Sequence, residues 1–271
     1  MSENKAVAKG SKKGLSWKKK DWIAGYIFIA PVTLGLLVFY IWPFIQNVWF
    51  SFNAVNKFNM TTFCGLENYK QLIGDKEVWA ALGTTLKYVV FTVPIGLFLS
   101  ILVAALLNSK IKGKSIYRTL YFLPSVTMAA AVAMVWKWSY NEQMGVLNSA
   151  IRALGGEGHG WLTDPSTALF CIMLVGLWMK VGYDMIILLA GMQGISNSYY
   201  EAAALDGAGP IQQFFKITIP MLTPTIFFTM ITGIISGFQV FDVIFMMIGK
   251  TNPAYESTKT VVMLFYRTAF D

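Results

Sequence analysis

Ser198-Tyr199-Tyr200-Glu201-Ala202-Ala203-Ala204-Leu205-Asp206-Gly207-Ala208-Gly209-Pro210 is a short polar interval between two long apolar runs. Ser198 with Glu201 three residues on is a capping-box pattern. The serine oxygen accepts from the amide at the third helical position, and the glutamate reaches back. The Ala-rich stretch that follows, Tyr199 to Leu205, favours a short helix. Asp206-Gly207 ends it, because glycine takes the left-handed conformation a helix terminus needs. Gly209-Pro210 opens a second helix with proline at its first position, running through Phe214, Phe215 and Ile217 to Pro220. The interval reads as two short helices joined by a glycine turn, with small side chains on the first that let another backbone approach closely.

The surroundings are apolar. Of 271 residues, 55% are hydrophobic and 13% charged, with a mean hydropathy of +0.53. A soluble domain carries about 25% charged residues, so most of this chain's outside faces lipid. About 20 apolar residues cross the hydrocarbon as a helix. Five segments qualify: Trp22 to Phe44, Tyr88 to Leu107, Thr119 to Trp136, about Ala168 to Met192, and roughly Pro224 to Ile248. The first is too long for a signal peptide, and no small-residue cleavage site follows it. The expected fold class is all-α, a polytopic membrane helical bundle. The last residues, Thr260 to Asp271, are apolar but too short to cross.

Basic residues set the orientation. Lys5, Lys9, Lys12, Lys13, Lys18, Lys19 and Lys20, with Lys110, Lys112, Lys114 and Arg118, face only Glu3 and Asp21 in the tail and the loop Asn108 to Arg118. The positive-inside rule places the tail, residues 1–21, in the cytoplasm and leaves 22–271 as the membrane domain. Counting spans puts the loop 193–219 in the cytoplasm as well. The net charge of +8 is therefore a topology signal, and nucleic acid is not an expected partner.

Residues that could do chemistry are sparse. Cys64, Cys171 and the single His159 form no disulfide framework or metal spacing. Gly249-Lys250-Thr251 and Gly113-Lys114-Ser115 look like the end of a phosphate-binding loop. That loop needs a glycine five positions earlier, where Ile244 and Asn108 stand. Lys180 and Asp184 share a helical face four residues apart and read as a local ion pair or as a substrate contact. In the fifth span Ser236, Gln239 and Asp242 recur every three residues, with Phe238 and Phe241 beside them. Such a stripe suits a sugar, whose ring has apolar faces and a hydroxyl rim. Helix–helix packing through Gly233 and Gly237 is the alternative. Asp242 lies about 27 Å along the helix from Pro224, towards the outer end. Trp178 and Tyr183 in the fourth span are secondary candidates. From these residues alone, the 193–219 loop is either a docking site for a soluble partner or an ordinary interhelical connection.

Glu201-Ala202-Ala203, Gly207, then Ile217, Ile219 and Pro220 resemble the EAA pattern of ABC importer permeases, with Ile219 where leucine is usual. The extended form through Asp206, Gly207 and Ala208, and Gly237-Phe-Gln-Val-Phe-Asp242, look like the carbohydrate-uptake branch. That branch comprises the maltose and multiple-sugar type I importers. Ala30-Pro31 and Tyr40 with Pro43 extend the likeness to the first span.

The resemblance implies that the helices of the Glu201 to Gly209 loop sit in a groove on an ATPase and convert its closure into helix movement. It implies a second homologous permease subunit, two ATPase subunits holding ATP and Mg, and an extracytoplasmic solute-binding protein. No cofactor is expected in this chain, which would be the transport subunit and not an enzyme. It implies a bacterial cytoplasmic (inner) membrane location and a sugar lining around Ser236 and Gln239. It also implies a sixth membrane helix after Tyr255 to Phe270, where this chain stops. The competing class is an ion-gradient-driven secondary transporter or channel that uses Lys180, Asp184 and Asp242.

Overall fold

The computed structural model describes residues 17–55, 61–109 and 111–270. Lys5, Lys9, Lys12, Lys13 and Lys110, used above for orientation, and Asp271 lie outside the described residues. The chain forms two compact units that divide after Gly74, where the sequence was read as one membrane domain from residue 22.

The first unit is an apolar rod. Helix α1 (Trp17–Leu36), a π turn (Leu37–Ile41) and α2 (Trp42–Ser51) run continuously, and no residue of α1 or α2 is buried by the chain itself. Pro43 explains the π turn: its ring would meet the carbonyl four residues back, and an extra residue in the turn relieves that contact. A hairpin of β1 (Asn53–Val55) and β2 (Thr61–Phe63) follows, pairing Asn53 with Phe63, then α3 (Glu67–Gly74). This two-stranded hairpin, three residues to a strand, is a minor feature of a mostly helical chain. Asn68 Nδ2 fastens it by donating to the carbonyls of Ser51 and Asn53 at 2.9 and 3.0 Å.

The second unit is built around α8 (Ala168–Gln193), which buries nearly half its residues. Against it pack α4 (Lys76–Asn108), α5 (Lys114–Val126) and α11 (Ile219–Phe238). Ala104, Met185, Leu188 and Leu222 centre one apolar core between α4, α8 and α11. Ile172, Val175, Ile244 and Met247 centre a second, where α6 (Ala129–Ser139) meets α8 and α12 (Asp242–Met247). Shorter helices complete the unit: α7 (Val146–Ala153), α9 (Asn197–Leu205), α10 (Pro210–Gln213), α13 (Tyr255–Thr258) and α14 (Val261–Phe270).

Two expected spans are corrected. Thr119 to Trp136 is not one helix, because α5 and α6 meet at a 96° bend. Thr127 and Met128 turn extended there, after Pro124 has removed a backbone donor from the last turn of α5. Pro224 to Ile248 is also broken: α11 stops at Phe238, and Phe241 adopts a non-helical φ of −143° before α12 begins. The carbonyl of Val240, freed by the break, accepts from the Thr260 hydroxyl at 3.3 Å. A break at membrane depth is tolerated where protein groups satisfy it in this way. Among the described residues, four helices are long and apolar enough to cross a membrane, or five if the bent pair counts as one span.

Candidate functional site: the two-helix loop and the helix it feeds

The polar interval folds as α9, a turn, α10, a π turn (Phe214–Thr218) and α11. Its cap differs from the expected box. Ser196, with extended ψ of 135°, is the N-cap, and its oxygen accepts from the Ser198 amide at 3.4 Å. Ser198 is already helical, so its side chain is not placed to cap, and Glu201 is left exposed.

The turn is as read. Gly207 has φ of +81°, in the left-handed region where a β-carbon is strained. The Ala208 amide donates to the Ala203 carbonyl at 2.9 Å, and Gln213 Nε2 returns to the Ala208 carbonyl at 2.9 Å. Gly209 caps α10 with an ordinary φ of −71°. Like the one before Pro43, the π turn precedes a proline, Pro220.

The outer face of this hairpin is available. Glu201, Ala202, Ala204, Asp206 and Gly207 are exposed, with Ala203 and Ala208 half-buried. Leu205 is 90% exposed, Ile211 76% and Phe215 64%. Phe214 turns the other way and packs on the core formed by Leu188, Met192 and Leu222. Phe214 thus anchors the hairpin to the core while apolar and small residues face outward.

The other candidates separate. Ser236 and Gln239 end α11 and are exposed, but the Ser236 hydroxyl donates to the Thr232 carbonyl at 2.8 Å. Asp242 is exposed at the start of α12, so the break in the helix takes it off the expected continuous stripe. Phe238 is exposed, whereas Phe241 turns into an aromatic stack with Phe245 and Tyr266, each centroid 5.1 Å away. Trp178 lies edge-on to Trp136 at 5.7 Å and lines a cavity of 650 Å³ between α4, α5 and α8. Tyr183 is exposed on the same helix. Lys180 and Asp184 make a direct ion pair at 3.5 Å, and Asp184 is buried. Gly233 of α11 leaves the space in which the lysine ammonium sits.

Two features escaped the sequence. Buried Lys259 meets Glu77 and Glu256, and the hydroxyls of Tyr200 and Thr218 meet 2.9 Å apart. The first carried a faint signal, since Glu256 and Lys259 are three residues apart. The second carried none.

Residues 78–258 match the family model for the binding-protein-dependent transport system inner membrane component. The chain belongs to that family. Curated relatives extend the match over most of its length. It is 36% identical over 256 residues to the probable ABC transporter permease protein YesP of Bacillus subtilis, covering 93% of this chain and 82% of that one. It is 35% identical over 251 residues to the lactose transport system permease protein LacF of Rhizobium radiobacter, covering 92% and 84%. To the sn-glycerol-3-phosphate transport system permease protein UgpA of Pectobacterium atrosepticum it is 30% identical over 256 residues, covering 93% and 85%.

The fold is that of a chain in a bacterial ABC transporter involved in the import of the acidic polysaccharide alginate. That chain aligns with a TM-score of 0.82 at 24% identity, over 94% of this chain and 87% of its own length. This member of the inner-membrane-component family is an integral membrane permease subunit of the ABC importer class, not an enzyme. Among the described residues no group of His, Cys, Asp and Glu is placed to hold a metal.

Proposed function

We propose that the chain forms half of the membrane pathway of an ATP-driven sugar or oligosaccharide importer, and that the Glu201 to Gly209 hairpin receives the ATPase. The observation that carries this reading is the anchored hairpin: Phe214 fixes it to the core while Leu205 and Ile211 stand exposed on the same loop as Glu201 and Ala202. Exposed apolar side chains beside small residues suit a protein surface that closes over them. In this reading the hairpin and the tail lie in the cytoplasm of a bacterial cell, and ATP and Mg belong to two partner ATPase chains. A second permease subunit covers exposed apolar helix faces, and an extracytoplasmic binding protein delivers the solute.

Relatives named for lactose and for sn-glycerol 3-phosphate support a sugar or polyol-derived solute. Ser236, Gln239 and Phe238 at the end of α11 remain the first candidates for the pathway, with Asp242, Phe241, Trp178 and Tyr183 secondary. ATP binding closes the ATPases, the hairpin is displaced with them, and the cavity turns from inward-facing to outward-facing. Hydrolysis resets it. Lys180 and Asp184 neutralise each other within the bundle, which favours this reading over an ion-gradient carrier.

A cross-link tests the reading. Ala204→Cys, in a Cys64→Ser background, should form a disulfide or short-linker adduct with a groove cysteine on the ATPase. Adducts only with lipid-side reagents, and none with the ATPase in the assembled complex, would contradict it.

A further inference from the structure

We infer that Tyr200 is a positioning residue for energy coupling. Its hydroxyl, 2.9 Å from Thr218 Oγ1, is the strut that carries displacement of α9 into α11. The inference rests on the coupling role proposed for the hairpin.

The geometry has three parts. At its closed end the hairpin is tied by the Ala208–Ala203 and Gln213–Ala208 hydrogen bonds around Gly207. At its other end α9 is joined to α8 through Gly194 and buried Ile195, so a push on its exposed face needs a separate tie to α11 if it is to reach that helix rather than bend the turn. The second tie is at the open end. Tyr200, half-buried in the first half of α9, reaches across to Thr218, 18 residues later and buried.

Thr218 is a telling place for the contact to land. It is the last residue of the π turn, and the next residue opens α11. A load delivered at Thr218 therefore enters α11 at its foot. From there α11 runs to Gly233 and Gly237, where Val93 and Val89 of α4 and Lys180 of α8 lie against it. A π turn is a single-turn irregularity that can absorb a local shift, and such turns recur at functional positions. Bracing on both sides makes α9 and the foot of α11 one rigid body, and movement is then taken up farther along α11.

The test uses the assembled complex with its ATPase subunits, in nanodiscs. Exposed α11 positions Phe228, Ile231 and Ile235 are replaced by cysteine one at a time, in a Cys64→Ser background. Labelling by an impermeant maleimide is compared without nucleotide and with MgATP plus vanadate. The parent should show a nucleotide-dependent change at one or more positions. Tyr200→Phe and Thr218→Val should each shrink that change about fivefold, the equivalent of ~1 kcal/mol for one hydroxyl contact. ATPase retention and hydrolysis should stay near parental levels, and Thr218→Ser should restore the response. The double variant should be no worse than either single one.

A full response in Tyr200→Phe, losses that add, or loss of the ATPase subunit in Tyr200→Phe would overturn the strut. So would a parent in which α11 shows no response to nucleotide. Failure of the underlying reading looks different: the complex would keep its ATPase even with Glu201→Lys.

Discussion

Lys259 Nζ lies 2.5 Å from Glu77 Oε1, joining the segment before α14 to the first turn of α4 across 182 residues of sequence. The lysine is buried, and it also bonds the Glu256 carboxylate. Arg267 of α14 reaches Glu77 at 2.9 Å, so two cations bracket two acids. Beside them the Val261 amide donates to the Thr85 hydroxyl at 3.0 Å. The extended residues between α13 and α14 are thus pinned to α4 by both charge and backbone.

Lys259→Met should lower the apparent melting temperature of the detergent-purified protein by the equivalent of about 1–3 kcal/mol. Arg267 remains to pair Glu77, which keeps the loss below that of a fully orphaned buried charge. Arg267→Met should cost less, because its side chain is 38% exposed. Equal melting of parent and Lys259→Met would remove the cluster's structural role.

The same lysine sets a pH expectation. Burial pulls its pKa down, but hydrogen bonds and charge from Glu256 and Glu77 outweigh that and raise it above the usual 10.5. A raised folded pKa means the contribution is fully present below 10.5 and is lost as pH climbs through the higher folded value. Between about pH 8 and 10, then, the stability difference between parent and Lys259→Met should stay constant and shrink only above that range. A difference that fades already at neutral pH would contradict the assignment.

Gly207→Val and Gly209→Val separate backbone strain from lost space. Neither glycine has an atom within 4 Å of where a β-carbon would stand, but only Gly207 has positive φ. Gly207→Val should therefore strain the hairpin by about 1–2 kcal/mol and reduce ATPase retention, while Gly209→Val leaves the turn intact. Circular dichroism should show unchanged helix content in both. Equal retention in the two variants would sever the link between turn geometry and docking.

Gly182→Ala should be far more damaging to folding. A β-carbon there would overlap the backbone carbonyl of Tyr121 in α5, and a backbone neighbour cannot rotate away. A loss of more than about 2 kcal/mol is expected, seen as a low yield of monodisperse protein by fluorescence-detected size exclusion. Gly25→Ala, with nothing within 4 Å, is the matched control. Similar yields for the two would mean α5 and α8 do not cross as described.

Asn148 organises the connection between α6 and α8. It is fully buried and donates to the carbonyls of Asn141, Glu142 and His159, while its oxygen accepts from the His159 amide and Trp161 Nε1. Asn148→Leu strands several of these groups and should cost about 2–4 kcal/mol locally, read as faster proteolysis between residues 141 and 161. Unchanged cleavage would show that the loop holds without it.

How much of this was legible in the sequence depended on range. Apolar length and charge placement mark where helices lie, and the Gly207 turn and Pro210 start are local signals that survive folding. Ser196 displaced Ser198 as the cap because the helix starts two residues earlier, with Ser196 in extended backbone and Ser198 already inside the first turn. The bend after Pro124 and the break at Gln239 were missed for a different reason. Apolar composition runs through both, and only tertiary partners such as Thr260 make the interruption affordable. Periodicity therefore grouped Ser236, Gln239 and Asp242 on a helix that does not continue. Contacts across 18 or 182 residues, such as Tyr200 with Thr218 and Lys259 with Glu77, leave no pattern in one sequence.

The central claim is that energy enters this chain through the Glu201 to Gly209 hairpin. Its most direct measurement is the amount of ATPase chain that co-purifies when the full-length protein is expressed with its neighbouring genes in mild detergent. Stoichiometric ATPase is expected with the parent and its loss with Glu201→Lys, with membrane insertion unchanged in both. Parent protein that never retains an ATPase chain, or equal retention in Glu201→Lys, would contradict it.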